Sequence, residues 1–158
     1  MTDDIIITID AQIARVTLNR PQARNALTFG MYQAIADLCR QAGTDQDSDN
    51  IKTIIISGAG DKAFAAGTDI GQFTAFKTLQ DGHDYEAQIE AVISMIESCR
   101  VPVIAALHGA VTGGGLVIAA AAHLRLASAD VKIGMPIART LGNCLAVGNL
   151  RRLVALFG

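Results

Sequence analysis

Residues 102–122 read PVIAALHGAVTGGGLVIAAAA and carry no charged side chain. This stretch decides the fold because an uncharged segment of this length is expected to lie in the core. Its first part, 102–107, is typical of a buried β-strand, and 116–122 is typical of a buried helix. The glycines at 113–115 predict a tight turn between the two. The first N–H groups of a helix have no internal acceptor, and the helix dipole favours negative charge beside them. The stretch therefore predicts a site for an anion, or for a carbonyl oxygen that becomes anionic during a reaction.

The rest of the composition points to one globular domain spanning residues 1–158. The chain is 51% hydrophobic with a formal net charge of −2, which argues against disorder. Its basic residues are scattered, so no nucleic-acid partner is expected. The charge-free stretch is broken by Pro102 and several glycines, so it favours strand, turn and helix over a membrane span. Three widely spaced cysteines and an acidic N-terminus without a signal sequence predict a reduced, cytoplasmic protein.

Strands alternate with helices along the whole chain, which predicts a layered α/β fold. The polar segment 74–86, between the strand over 52–57 and the helix over 85–96, is expected to be mobile. The other predicted elements are a hairpin over 5–9 and 13–18, a helix capped by Thr28, a strand over 52–57, a helix over 85–96, strands over 123–127 and 131–134, and a helix over 145–157.

The segment 58–63 (GAGDKA) matches the loose dinucleotide-binding pattern of glycines that follow a strand. That pattern needs a helix to begin at once, whereas 64–67 (FAAG) predicts another turn. A surface turn is therefore the favoured interpretation. A dinucleotide site would be recognised by the binding of NAD.

A second glycine turn lies at 66–70 (AGTDI), well before the glycine triplet. Two backbone N–H groups that converge on one oxygen form an oxyanion hole, which is worth about 10²–10³ in rate for each donor. Taken alone, each glycine is explained by a tight turn. Together, the two turns predict a pair of donors for one ligand oxygen.

Three segments resemble, in order and spacing, the signatures of the crotonase (enoyl-CoA hydratase/isomerase) superfamily. They are 18–27 (LNRPQARNAL), 64–70 (FAAGTDI) and 108–115 (HGAVTGGG). The resemblance implies an α/β fold of the ClpP/crotonase-like type, a spiral of ββα units. It also implies an acyl-CoA substrate, with CoA as part of the substrate and no separate cofactor or metal, and a place in fatty acid metabolism.

The same resemblance implies roles for particular residues. The N–H groups of Thr68 and Gly114 would form the oxyanion hole for the thioester carbonyl. Arg24 and Lys62 would meet the CoA phosphates. The remaining substrate-binding residues implied are Ala23, Ala66, Asp69, Ile70, Gly71, Val117 and Ile137. Asp69 is expected to position the ligand and to shape its turn.

The chain departs from the family at the two positions where hydratases carry the glutamates that activate water. These positions hold Val117 and Ile137, which cannot transfer a proton. Two-glutamate hydration is therefore not expected, and another acid or base would be needed. The segment where the family varies holds Arg139, Thr140, Asn143 and Cys144.

Two interpretations stay open for Arg139 and Cys144. Arg139 would stabilise charge and Cys144 would transfer protons, or the first is a surface charge and the second a small buried residue. His108 and His123 are expected to be structural, with His123 replacing a capping aspartate. A non-catalytic pseudoenzyme or scaffold that keeps the fold is the alternative to an enzyme.

Members of the family normally continue well beyond the position that matches Gly158, with a helical region that closes the acyl pocket and builds trimers. Three explanations are open: a truncated product, part of a longer protein, or a naturally short form. We expect apolar surface to be uncovered in a chain of this length. A homotrimer or hexamer is implied for a full-length member, but is not expected of this short chain.

Overall fold

The computed structural model describes residues 4–137, 139, 142 and 144–158. It begins with the predicted hairpin, in which β1 (Ile5–Asp10) pairs antiparallel with β2 (Ile13–Leu18). The two residues between the strands, Ala11 and Gln12, have φ angles of 46° and 67°. Two left-handed residues in succession give a tight turn whose twist matches that of the flanking strands. The hairpin forms one edge of the larger sheet.

Six further strands form three consecutive pairs, and each pair gives one strand to each of two sheets. The larger sheet has the order β1-β2-β3-β5-β7, and the smaller one has the order β4-β6-β8. Beyond the hairpin, every pairing is parallel. The strands are β3 (Thr53–Gly58), β4 (Ala63–Ala65), β5 (Val103–Leu107), β6 (Ala110–Thr112), β7 (Leu124–Ala127) and β8 (Lys132–Gly134).

Helices follow the strand pairs, as parallel connections require. The helix α1 (Phe29–Gln41) precedes β3, while α2 (Leu79–Glu97) follows β4 and α3 (Gly114–Ala121) follows β6. Two strands and a helix therefore repeat along the chain. The predicted α/β spiral of ββα units is confirmed.

The polar segment 74–86 contains the first part of a helix that the sequence predicts only from residue 85 onward. A 3-10 turn spans Ile70–Ala75, and α2 already begins at Leu79. Thr78 and Asp81 form a reciprocal capping box, in which the Asp81 N–H donates to Thr78 Oγ1 at 3.2 Å and the Thr78 N–H donates to Asp81 Oδ2 at 2.7 Å. The segment is polar because the first half of α2 faces solvent.

The dinucleotide pattern at 58–63 is followed by strand β4 rather than by a helix. All three residues of β4 are buried, and it pairs with β6 at the centre of the smaller sheet. The turn predicted over 64–67 covers only Ala66 and Gly67, because residues 64 and 65 belong to β4. A dinucleotide-binding turn leads directly into a helix, whereas these glycines lead into a strand, so the structure counts against the dinucleotide interpretation.

The last helix, α4 (Val147–Phe157), is held to α2 by one guanidinium group. Arg152 donates to both carboxylate oxygens of Glu90 at 2.7 and 3.0 Å, and to both of Glu97 at the same distances. Large apolar side chains elsewhere on α4 are exposed, among them Val147, Leu150, Val154 and Phe157. Within the described ranges, no helix has the length and apolar character needed to cross a membrane.

Candidate functional site

The two glycine turns predicted from the sequence lie against each other. Gly67 follows β4 with a φ of 115°, and Gly113 precedes α3 with a φ of 52°. A Cβ atom on Gly113 would lie only 3.1 Å from the Gly67 Cα. Both positions have left-handed backbone angles, which favour glycine, and at Gly113 a side chain would in addition crowd the Gly67 backbone.

These turns leave two backbone donors without acceptors. The backbone on either side of Thr68 is hydrogen-bonded to Leu27. The Leu27 N–H donates to the Gly67 carbonyl at 2.8 Å, and the Asp69 N–H donates to the Leu27 carbonyl at 2.9 Å. Within the described part of the chain, the N–H groups of Thr68 and Gly114 have no hydrogen-bond acceptor. Both residues line one cavity of about 340 Å³. The structure thus brings the two predicted donors to the same cavity.

Most of the other residues around this cavity are apolar. Val117, on the first turn of α3, is almost fully buried, and Ile137 is half-buried. Both line the cavity, at the positions where sequence analysis finds no glutamate. Their neighbours in the lining include Ile70, Phe73, Ile89, Met135 and Leu145.

A chain of three hydroxyl groups crosses the cavity wall. Thr68 Oγ1 lies 2.9 Å from the Tyr32 hydroxyl and 3.1 Å from the Tyr85 hydroxyl. Burial raises the pKa of Tyr32, and so does the neighbouring Tyr85. Burial also raises the pKa of Tyr85, helped by the negative charge of Glu86. Both phenols therefore stay neutral over the physiological range.

Glu86 is exposed and also lines the cavity. It is the one acidic side chain among the described lining residues. Glu86 is not evident from the sequence, because the polar segment 74–86 is expected to be mobile. Tyr32 is not evident either, because the pattern of α1 indicates only a helix that packs on the core. The capping box at Thr78 would have placed Glu86 on α2, one residue after Tyr85, and so beside the core.

A second cavity, of about 290 Å³, lies beside the loop that follows β2. The exposed side chains of Arg24 and Lys62 both line it, whereas Ala23 does not. The Ala66 N–H donates to the Arg24 carbonyl at 3.0 Å, and Ala66 lines the first cavity. This hydrogen bond ties the walls of the two cavities together.

Asp69 and Gly71 lie outside the lining of both cavities. Asp69 Oδ2 forms an ion pair with Arg20 at 2.8 Å, and its Oδ1 accepts the Gly71 N–H at 3.0 Å. The Arg20 guanidinium, and next the Gly71 N–H, hold the pKa of this carboxyl below its ordinary value. These contacts show Asp69 shaping its turn, and its expected role in positioning the ligand stays a prediction.

Of the remaining candidate site residues, Cys144 lines the first cavity and His123 has a structural role. Cys144 is exposed and lines the first cavity, so its interpretation as a small buried residue was wrong. Arg139 is exposed. Thr140 and Asn143 lie outside the described residues. His123 is structural, because its Nδ1 accepts the Val103 N–H at 2.9 Å and its Nε2 contacts the Glu97 carbonyl at 3.3 Å.

The sequence matches a family model described as enoyl-CoA hydratase/isomerase over residues 13–150. A crotonyl-CoA hydratase of Syntrophomonas wolfei is 33% identical over 156 residues, covering 99% of this chain and 58% of that protein. A short-chain-enoyl-CoA hydratase of Clostridium acetobutylicum is 31% identical over 156 residues, with 99% and 58% covered. The chain therefore spans little more than half the length of these curated relatives.

Solved structures also place the chain beside enoyl-CoA hydratases. An enoyl-CoA hydratase/carnithine racemase from Magnetospirillum magneticum superposes with a TM-score of 0.86 at 32% identity, covering 98% of this chain and 57% of that one. At this identity and coverage, the likeness extends over nearly the whole of this chain and somewhat more than half of the other.

Proposed function

We propose, on the premise that this chain belongs to the enoyl-CoA hydratase/isomerase family, that its larger cavity binds an acyl-CoA thioester and stabilises the enolate of that thioester. The observation that carries the proposal is the pair of N–H groups, on Thr68 and Gly114, without an acceptor at one cavity. An oxygen between them would accept two hydrogen bonds beside the N-terminus of α3. These interactions strengthen as the carbonyl becomes an oxyanion.

Enolate formation requires a base that removes the proton from the carbon next to the thioester. Val117 and Ile137 cannot do this, and Glu86 supplies a carboxylate in the same lining. In the proposed step, the C–H bond breaks and the proton moves to a Glu86 oxygen. The electron pair forms the C=C bond of the enolate, and the carbonyl electrons move to the oxygen held by the two N–H groups. In a thioester with a double bond between its third and fourth carbons, return of the proton to the fourth carbon would move that double bond to between the second and third carbons.

One observation favours a second candidate, a non-catalytic acyl-CoA-binding protein. Both positions that carry hydratase glutamates are apolar, and Glu86 is exposed rather than enclosed. Such a protein would bind thioesters without forming an enolate. Exchange of the α-protons of butyryl-CoA for deuterium separates the two candidates, since exchange needs enolate formation but no further reaction.

Glu86→Gln is expected to lower the exchange rate about a hundredfold, because the amide cannot accept the proton. Butyryl-CoA binding should change less than twofold. NMR in D₂O measures the first and calorimetry the second, both in the full-length protein. Asp84→Asn is the matched control, since Asp84 is an exposed carboxylate on the same helix outside the cavity lining. Binding without exchange in the unsubstituted protein would support the non-catalytic candidate, and absence of thioester binding would refute both.

The second cavity is proposed to hold the phosphates of CoA through Arg24 and Lys62. Replacing either by methionine is expected to weaken butyryl-CoA binding about fivefold, as is usual for one exposed charge on a phosphate. Binding of S-butyryl-pantetheine, which lacks the phosphates, should not change. Lys52→Met is the control, because Lys52 is exposed and lines neither cavity. Equal weakening with both ligands would count against this assignment.

The proposal also includes a cytoplasmic place in fatty acid metabolism. For a full-length member it includes assembly into a homotrimer or hexamer. The metabolic role and the assembly rest on the family resemblance, and the cytoplasmic location rests on the cysteines and the N-terminal composition.

A further inference from the structure

Two of the three cysteines meet where α1 and α2 end. Cys39 lies in the last turn of α1, and Cys99 follows the C-terminus of α2. The Cys99 thiol donates to the Cys39 carbonyl oxygen at 3.5 Å, and the two thiol groups also interact with each other. Both residues lie outside the linings of the two cavities. The two sulfur atoms are therefore neighbours at a place that the proposed function does not use.

The segments that carry these cysteines are packed against each other. A Cβ atom on Gly43, two residues after α1, would lie 3.0 Å from Val101 Cγ1 and 3.3 Å from Arg100 Cβ. A disulfide needs two Cα atoms within about 7 Å, which such close packing allows. Cys39 is buried, whereas Cys99 is half-buried. A reagent from solvent therefore reaches Cys99 first.

The surroundings favour a thiolate at Cys99 and a thiol at Cys39. The contact with the Cys39 thiol lowers the pKa of Cys99 to about 7, and the backbone N–H groups of Val101 and Arg100 add to this effect against that of burial. The contact with Cys99, together with burial, raises the pKa of Cys39. Because the thiolate is the form that reacts with peroxides, the more accessible sulfur is also the more reactive one.

We propose that Cys99 and Cys39 form a peroxide-sensitive thiol pair, in which Cys99 is oxidised first and Cys39 then closes a disulfide between the ends of α1 and α2. In the first step, the Cys99 thiolate attacks one oxygen of hydrogen peroxide. The O–O bond breaks, Cys99 becomes a sulfenic acid, and the departing hydroxide takes up the proton that Cys99 had released.

In the second step, the Cys39 sulfur attacks the Cys99 sulfur. The S–O bond breaks, the S–S bond forms, and the Cys39 proton leaves with the hydroxide as water. Two thiols are thereby oxidised to one disulfide, while one peroxide is reduced to two water molecules. Neither step involves a thioester, so this inference and the proposed function can fail separately.

The disulfide would join two residues that lie 60 positions apart in the sequence. It would hold the end of α1 against the end of α2 and would restrict the unfolded chain. In a reducing compartment such a bond is transient and forms when the oxidant level rises. The pair is thus suited to sensing peroxide and is not needed to build the fold.

The test treats the full-length protein with an equimolar amount of hydrogen peroxide, blocks the remaining thiols with iodoacetamide, and maps the digested peptides by mass spectrometry. We expect a peptide pair joined through Cys39 and Cys99, which dithiothreitol separates. Cys99→Ser should abolish this pair. Cys39→Ala should abolish it too and leave a sulfenic acid at Cys99, which dimedone labels. Cys144→Ser is the matched control, because Cys144 is exposed, and it should form the pair in full.

The main result comes from the unsubstituted protein, so it does not depend on the folding of a variant. Oxidation of Cys144 while Cys39 and Cys99 remain reduced would overturn the inference. So would a Cys99 sulfenic acid that persists in the unsubstituted protein without forming the disulfide. Failure of the protein to bind butyryl-CoA would overturn only the proposed function.

Discussion

Gly114→Ala is expected to lower the α-proton exchange rate about a thousandfold, although alanine keeps the N–H group and favours a helix. Its Cβ atom would lie 2.0 Å from the Tyr32 hydroxyl oxygen. The Tyr32 ring is buried and cannot swing into solvent. The first turn of α3 must therefore move, and the Gly114 N–H would move away from the oxygen that it shares with Thr68. NMR measurement of exchange in D₂O provides the readout.

Tyr32→Phe added to Gly114→Ala is expected to restore most of the lost exchange. Without the hydroxyl group, the nearest ring atom to the new methyl group is Cζ, at 3.3 Å. Small shifts of the ring can accommodate that contact. The two substitutions should thus be strongly non-additive in a double-mutant cycle. Additive losses would contradict this explanation and would mean that Gly114 is needed for a reason other than the Tyr32 hydroxyl.

The parts of the site that the sequence could predict are those encoded locally. Gly67 and Gly113 mark turns because few other residues adopt their backbone angles, and the apolar run after Gly113 marks a buried helix. The absence of carboxylates at Val117 and Ile137 is also visible in the sequence, once the resemblance supplies the positions. These elements define both backbone donors at the cavity.

The side chains that complete the cavity could not be predicted, because they meet only in the folded chain. Tyr32 lies on α1, Tyr85 on α2 and Thr68 between them in sequence, and neither helix pattern distinguishes a cavity-facing phenol from a core residue. Strand β4 was missed for a related reason. It has three residues, and it is a strand because of its pairing with β6.

Asn25→Ala is expected to lower the free energy of unfolding by about 4 kcal/mol, a large effect for one exchange. Asn25 is fully buried, and its Nδ2 donates to the Ala59 carbonyl at 2.9 Å and the Ala63 carbonyl at 2.7 Å. Its Oδ1 accepts the Arg20 N–H at 3.0 Å. One amide therefore joins the loop after β2 to both ends of the β3–β4 connection. Urea unfolding of the full-length protein measures the loss.

Asn25→Asp and Asn50→Ala separate the amide's hydrogen bonds from its backbone angle. Aspartate has nearly the same shape but would present an oxygen to the two carbonyls, so it should destabilise the protein at least as much as alanine. Asn50 shares the left-handed backbone, with φ values of 51° against 55° for Asn25, but is exposed. Its replacement by alanine should cost only about 1 kcal/mol. If Asn25→Ala cost no more than that, the buried amide would not hold the connection together, and the second cavity would owe its shape to the backbone alone.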